Sequence, residues 1–167
     1  HAPGTNIEFI VAGLLRAKRL GAFDFNSRFY ADDDLIVGAA DPFQLFRIMH
    51  EVNINGGFDV GTAVSYVLDQ CHNIEAKIPG QIRSIMNVQE AVAKAILVDQ
   101  GALKAAQRAG DVLAAHECLM DAYNTDVRGL LSEWRSDKGI DPEPMKAYAA
   151  SGYAAKIAKD RVGGNQA

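Results

Sequence analysis

The sequence predicts an α/β fold: a βα repeat with two short parallel strands, followed by a long helical tail. Three observations predict it. Apolar residues recur at helical spacing, then in two short strand-like runs separated by another helix, giving the order helix, strand, helix, strand, helix. Both strand-like runs lead into an aspartate, Asp24 and Asp69. From Pro79 onward the apolar patterns keep the helical period. With 167 residues, 49% of them hydrophobic and 23% charged, the chain is long enough for one domain with a sizeable core.

Pro3-Gly4 is turn chemistry, and Thr5 or Asn6 can cap a helix beginning near Ile7. Ile7, Ile10, Val11, Leu14 and Leu15 form its apolar stripe; Arg16, Lys18 and Arg19 close the last turn, and Gly21 stops it. Ala22 to Asn26 reads as a short strand. After a loop carrying Asp32, Asp33 and Asp34, Asp41-Pro42 starts a second helix, with Asp as the cap and Pro at the first helical position. Phe43, Phe46, Ile48 and Met49 supply its apolar face, and Asn55-Gly56-Gly57 breaks it. The second strand runs from about Ala63 to Asp69. In the tail, Asn87 can cap a long helix from Val88 to about Ala109, with Val92, Ala95, Ile96 and Leu103 inward. Gly110-Asp111 starts another, to about Arg135, along Val112, Ala115, Leu119, Ala122, Tyr123, Leu130 and Leu131, with Trp134 near its end. Asp141-Pro142 opens a last one through Tyr148, Tyr153 and Ile157, and Gly163-Gly164 frays its end. These stripes are packing surface.

The chemistry gathers where the strands end. In parallel α/β folds the loops after the strands converge on one rim, so Asp24 and Asp69 should share that rim with the loop carrying Asp32 and Asp34. Asp32 and Asp34 are two residues apart, which in extended backbone points both to one side and Asp33 away. Such an oxygen set suits a hard divalent cation; the competing account is a solvated acidic loop. The shared rim favours the metal. His72, in Asp69-Gln70-Cys71-His72-Asn73, can be a ligand, a general acid or a loop histidine bonded to backbone. The last is favoured, because the metal-like positions are already acidic. Cys71 reads as a buried small residue, and it and Cys118 as reduced thiols.

Other classes find no support. The net charge of −4 and scattered basic residues argue against a nucleic-acid footprint. The apolar stretch from Ile7 to Leu15 is interrupted by Glu8 and too short to span a bilayer, and no signal-peptide pattern is visible; a cytoplasmic protein is expected. There is no glycine-rich phosphate loop, no Gly-x-Ser-x-Gly elbow and no internal repeat. An EF-hand beginning at Asp24 fails, because Phe29 stands where Gly is required. The chain starts at His1 and runs directly into Ala2-Pro3-Gly4, which reads like the inside of a longer polypeptide.

Asp24-Phe25-Asn26 followed by Tyr30-Ala31-Asp32-Asp33-Asp34-Leu35 resembles the strand-seven metal motif of the xylose-isomerase-like superfamily. The wider set, His1-Ala2-Pro3, Asn6-Ile7-Glu8, Asp41-Pro42, Asp69-Gln70 with His72-Asn73, and Ala150-Ser151-Gly152-Tyr153, is similar to the bacterial L-rhamnose isomerase family, the broad-specificity type that also handles sugars such as D-allose. The resemblance covers essentially the whole chain. It implies the C-terminal portion of a (β/α)8 TIM barrel, residues 1–85 carrying the last two strands, with 86–167 as the last barrel helix and a helical extension. It makes Asp24 and Asp69 ligands of a structural metal that also helps hold the sugar, Asp69 thereby serving catalysis, and Asp32 and Asp34 ligands of a second, catalytic metal. Asp24 stands where some relatives have His, and His1 matches the second His of a pair whose first is the ligand. The family's upstream Glu and Asp ligands, its catalytic Lys and its sugar-binding Trp have no counterpart here, and Cys71 replaces a small polar residue. The implied reaction is aldose–ketose isomerisation of L-rhamnose and L-rhamnulose, or of D-allose and D-psicose, by a hydride shift between C1 and C2. Two ions, Mn²⁺ or Mg²⁺ with Co²⁺ as substitute, would polarise the sugar oxygens. The implied partners are an aldose or ketose, the N-terminal part of the barrel, and further copies in a tetramer. The alternatives are another metal-dependent enzyme of the superfamily, such as a sugar epimerase or an endonuclease, or a non-catalytic helical assembly module.

Overall fold

The computed structural model describes residues 5–30, 33–59, 61–62 and 64–163. The elements in order are α1 (Ile7–Arg16), β1 (Ala22–Phe25), α2 (Pro42–Ile54), β2 (Ser65–Leu68), α3 (Lys77–Ile96), α4 (Gln100–Ala109), α5 (Val112–Asn124), α6 (Arg128–Asp137), α7 (Pro144–Ala150) and α8 (Tyr153–Gly163). The strands pair in parallel, with register from Ala22 opposite Ser65 to Phe25 opposite Leu68. The chain divides into two compact units, parting after Arg128. The turn expected at Pro3-Gly4, the strand start at Ala63 and the fraying at Gly164 lie outside the described residues.

The first two helices begin where their caps stand. Asn6 Oδ1 accepts from the Phe9 amide at 2.9 Å, and Asp41 Oδ1 from the Gln44 amide at 2.8 Å, with Pro42 opening α2. α2 is the centre of the larger unit: Phe46, Met49 and Val52 are fully buried. Around them gather Val11 and Leu15 of α1, Phe25 of β1, Ala91 and Ala95 of α3, Leu103 of α4 and Ala122 of α5. Phe23, Phe25 and Tyr66 stack on this side of the sheet, 4.9 Å between the two phenylalanine rings and 5.6 Å from Phe23 to Tyr66. Ala22, Asp24, Ser65 and Val67 take the other parity and are exposed.

Three expected helices differ in their bounds. α3 begins at Lys77, eleven residues before Val88, because Pro79 falls in its first turn, where the amide it lacks has no helical partner. Asn87 is therefore not a cap. The run to Ala109 breaks after α3, where Asp99 Oδ1 accepts from the Ala102 amide and starts α4; the expected boundary at 85/86 falls inside α3. Likewise Asp126 binds the Arg128 amide and guanidinium and separates α5 from α6. Ile96, Val112 and Leu130, expected inward, are exposed; the breaks reset the phase of each stripe. In the smaller unit, α7 starts at Pro144, after an Asp141 carboxylate that accepts from the Glu143 amide. It parts from α8 at Gly152, whose φ of +66° is a backbone that glycine adopts freely.

Candidate functional site

β1 runs into a loop that is tied shut at its neck. Ser27 and Leu35 exchange backbone hydrogen bonds of 3.0 and 2.8 Å. The exit is pinned to α3, fifty residues away in sequence: the Val37 amide donates to the fully buried Ser84 Oγ at 3.2 Å, and Asn87 Nδ2 donates to the Val37 carbonyl at 2.8 Å. The Gly38 amide donates to Ser27 Oγ at 3.0 Å. Gly38 has φ +80°, and a Cβ there would meet Leu45 Cδ2 at 3.0 Å, so conformation and space both call for glycine.

Inside the loop the aspartates divide their tasks. Asp33 Oδ2 accepts from the amides of Tyr30 and Phe29 at 3.1 and 2.9 Å. Those two bonds, Tyr30's first, hold its carboxyl below the ordinary carboxylate range. Asp33 thus turns the loop. Asp34 has φ +46°, a left-handed backbone uncommon outside glycine but tolerated by Asp, and its Oδ1 accepts from Asn26 Nδ2 at 3.0 Å. The same amide reaches the Asp69 carbonyl at 3.4 Å. Asp34 is so brought to the carboxyl end of the strand pair.

Asp24 lies within β1, and Asp69 directly follows β2, its amide donating to the Phe25 carbonyl at 2.9 Å. The register sets Asp69 opposite Asn26, on the face that carries Asp24. Strand spacing and rise put the two Cα atoms roughly 8 Å apart, within reach of a shared ion bound at about 2.0–2.6 Å from each carboxylate. In kind, these hard oxygens fit a divalent cation. In number they fall short: among the described residues, no group of three His, Cys, Asp or Glu side chains could hold a metal ion. His1 and Asp32 lie outside the described residues.

His72 Nδ1 accepts from the Ile74 amide at 3.3 Å, the backbone-bonded role favoured by sequence. Cys71 is exposed rather than buried, because its neighbour Gln70 takes the inner position after β2; Cys118 is half-buried, and both thiols are free. Gln70 donates to Glu75, accepts at its carbonyl from Gln81, and lies over Gly80, where a Cβ would stand 3.0 Å from its Oε1. Sequence reasoning passed over Asn26, Gln70 and Ser84. Asn26 alone left a signal there, a polar residue two positions after Asp24 in a strand. Among the described residues, no helix is long and apolar enough to cross a membrane.

The chain is 42% identical over 166 residues to a protein of Mesorhizobium japonicum, and 41% identical over 166 residues to one of Rhizobium meliloti. Each is named a probable sugar isomerase. The matches cover 96% of this chain but 38% of each relative, so the chain spans well under half the length of the curated relatives it matches. No protein-family model matches the chain.

Proposed function

We propose that this chain supplies two strands and the C-terminal helices of a (β/α)8 barrel in a metal-dependent aldose–ketose isomerase of the L-rhamnose isomerase kind. The observation that carries the proposal is the grouping at one end of the parallel pair: Asp24 and Asp69 on one exposed sheet face, with Asp34 drawn in by Asn26. The likeness to two relatives named sugar isomerases supports the reaction class. A cleft of about 170 Å³ beside β1, lined by Phe23, Asp24, Asn26 and Arg28 with Ile7 and Ile48, supports a sheet that continues past β1.

Asp24 and Asp69 would hold one ion and Asp32 and Asp34 the second, with His1 a further candidate. Mn²⁺, Mg²⁺ or Co²⁺ bound there would supply Lewis-acid polarisation of the sugar's C1 and C2 oxygens. The chain's own contribution is to hold the Asp34 carboxylate in place before substrate arrives. Asp33 keeps the loop folded without entering the centre. The remaining ligands and the acid–base group would come from the rest of the whole protein.

The test is conversion of L-rhamnose to L-rhamnulose by the whole protein, stripped with EDTA and then resupplied with Mn²⁺, beside Asp69→Asn. Activity should vanish with EDTA, return with Mn²⁺, and fall at least about tenfold in the variant without loss of helical signal, because the amide keeps the shape and loses the charge. Full turnover in EDTA, or wild-type metal affinity and turnover in Asp69→Asn, would contradict the assignment. Faster turnover of D-allose would change the preferred sugar and leave the reaction class standing.

A further inference from the structure

We propose that Asn26 is a positioning residue: its amide fixes the Asp34 carboxylate and ties the loop after β1 to the end of β2, so that the ion meets ligands already in place. The inference rests on the metal-holding role proposed above and adds a residue to it. Asn26 stands one residue past β1, and its register partner is Asp69. Its side chain therefore leaves the sheet on the face that carries Asp24. One donor, Nδ2, serves Asp34 Oδ1 at 3.0 Å and, more loosely, the Asp69 carbonyl at 3.4 Å.

The residue type suits the task. A primary amide offers N–H donors without charge, so it can hold a carboxylate without competing with a cation for it. An aspartate in its place would repel Asp34; a lysine would neutralise it. Asn26 and Asp34 are both half-buried, so water competes only partly for the bond. Asp34 approaches from the far side of a loop whose neck, Ser27 to Leu35, fixes where its backbone emerges. What the neck leaves undetermined is the carboxylate's rotation, and the bond from Asn26 removes that freedom. Partners of this kind, which orient a ligand they do not replace, are worth about 10–100-fold in metal affinity.

The experiment measures Mn²⁺ affinity in the whole protein, by the spin-resonance signal of free Mn²⁺ and by calorimetry. The proteins compared are wild type, Asn26→Ala, Asp34→Asn and the double variant, with apo thermal melting in parallel. Asn26→Ala should weaken Mn²⁺ binding about 10–100-fold with a melting temperature close to wild type. The double variant should bind no more weakly than Asp34→Asn alone, since the amide acts only through that carboxylate. If Asn26→Ala does not fold, Asn26→Leu, close in shape and without a donor, is compared in its place under the same expectation. Wild-type affinity in the Asn26 variant beside a loss in Asp34→Asn overturns this inference alone, as do additive losses in the double variant. Wild-type protein that does not bind Mn²⁺, or Asp34→Asn that binds like wild type, overturns the metal assignment beneath it.

Discussion

His50 shows how a buried polar group is kept silent. It lies in α2 at 5% exposure, and its Nε2 is 2.9 Å from Gln100 Nε2. An amide nitrogen can only donate, so the imidazole there is neutral and carries its proton on Nδ1. Burial pushes its pKa below the ordinary 6.5, while the Glu51 carboxylate pulls the other way. The depressed value fixes the sign. The contribution of neutral His50 is fully present above pH 6.5 and is lost as pH falls through the lower, folded value. Melting temperature should therefore fall more steeply between pH 7 and 5 in wild type than in His50→Gln. Parallel curves would show that His50 charges without cost. The other informative single residues are Asp33 and Asp34, adjacent and chemically identical, of which one turns the loop and the other meets Asn26.

At the scale of elements, α3 sets the geometry of the acidic loop. Ser84 is fully buried and accepts from the Val37 amide, and Asn87, one helical turn on, donates to the carbonyl of the same residue. Ser84→Ala leaves a buried amide without its acceptor, a cost of about 1–3 kcal/mol. The amide of Val37 should then exchange with solvent faster, together with its neighbours in the loop. Unchanged exchange would mean that the neck at Ser27 and Leu35 holds the loop by itself. These two α3 residues also mark how far a sequence can be read. Caps and prolines next to their helices, Asn6, Asp41 and Pro42, made α1 and α2 legible, and two Asp-ended runs in a helix–strand alternation made the parallel pair legible. Asn87 looked like a cap because its true partner, Val37, is fifty residues away. Asp99 and Asp126 cap helices inside apolar stripes that run on in phase long enough to look continuous. Asp24, Asp34 and Asp69 could be singled out from spacing; the amide that joins Asp34 to the Asp69 backbone could not, since an asparagine after a strand has many ordinary uses.

At the scale of the molecule, the core and the proposed metal site take opposite faces of one small sheet. The face bearing Phe23, Phe25 and Tyr66 joins a core centred on α2, while the face bearing Asp24 and Val67 is exposed, Val67 to 49%. A two-stranded sheet has little stability of its own, so helix packing carries the larger unit. In the proposed barrel this exposed face would turn to the interior, and closure would bring further ligands to the same rim. The measurement that tests the central claim most directly is anomalous X-ray diffraction, at the manganese edge, from crystals of the whole protein grown with Mn²⁺. The account predicts a peak within about 2.0–2.6 Å of carboxylate oxygens of both Asp24 and Asp69, with a second beside Asp34. Manganese bound elsewhere, with Asp24 and Asp69 both facing solvent, would contradict it.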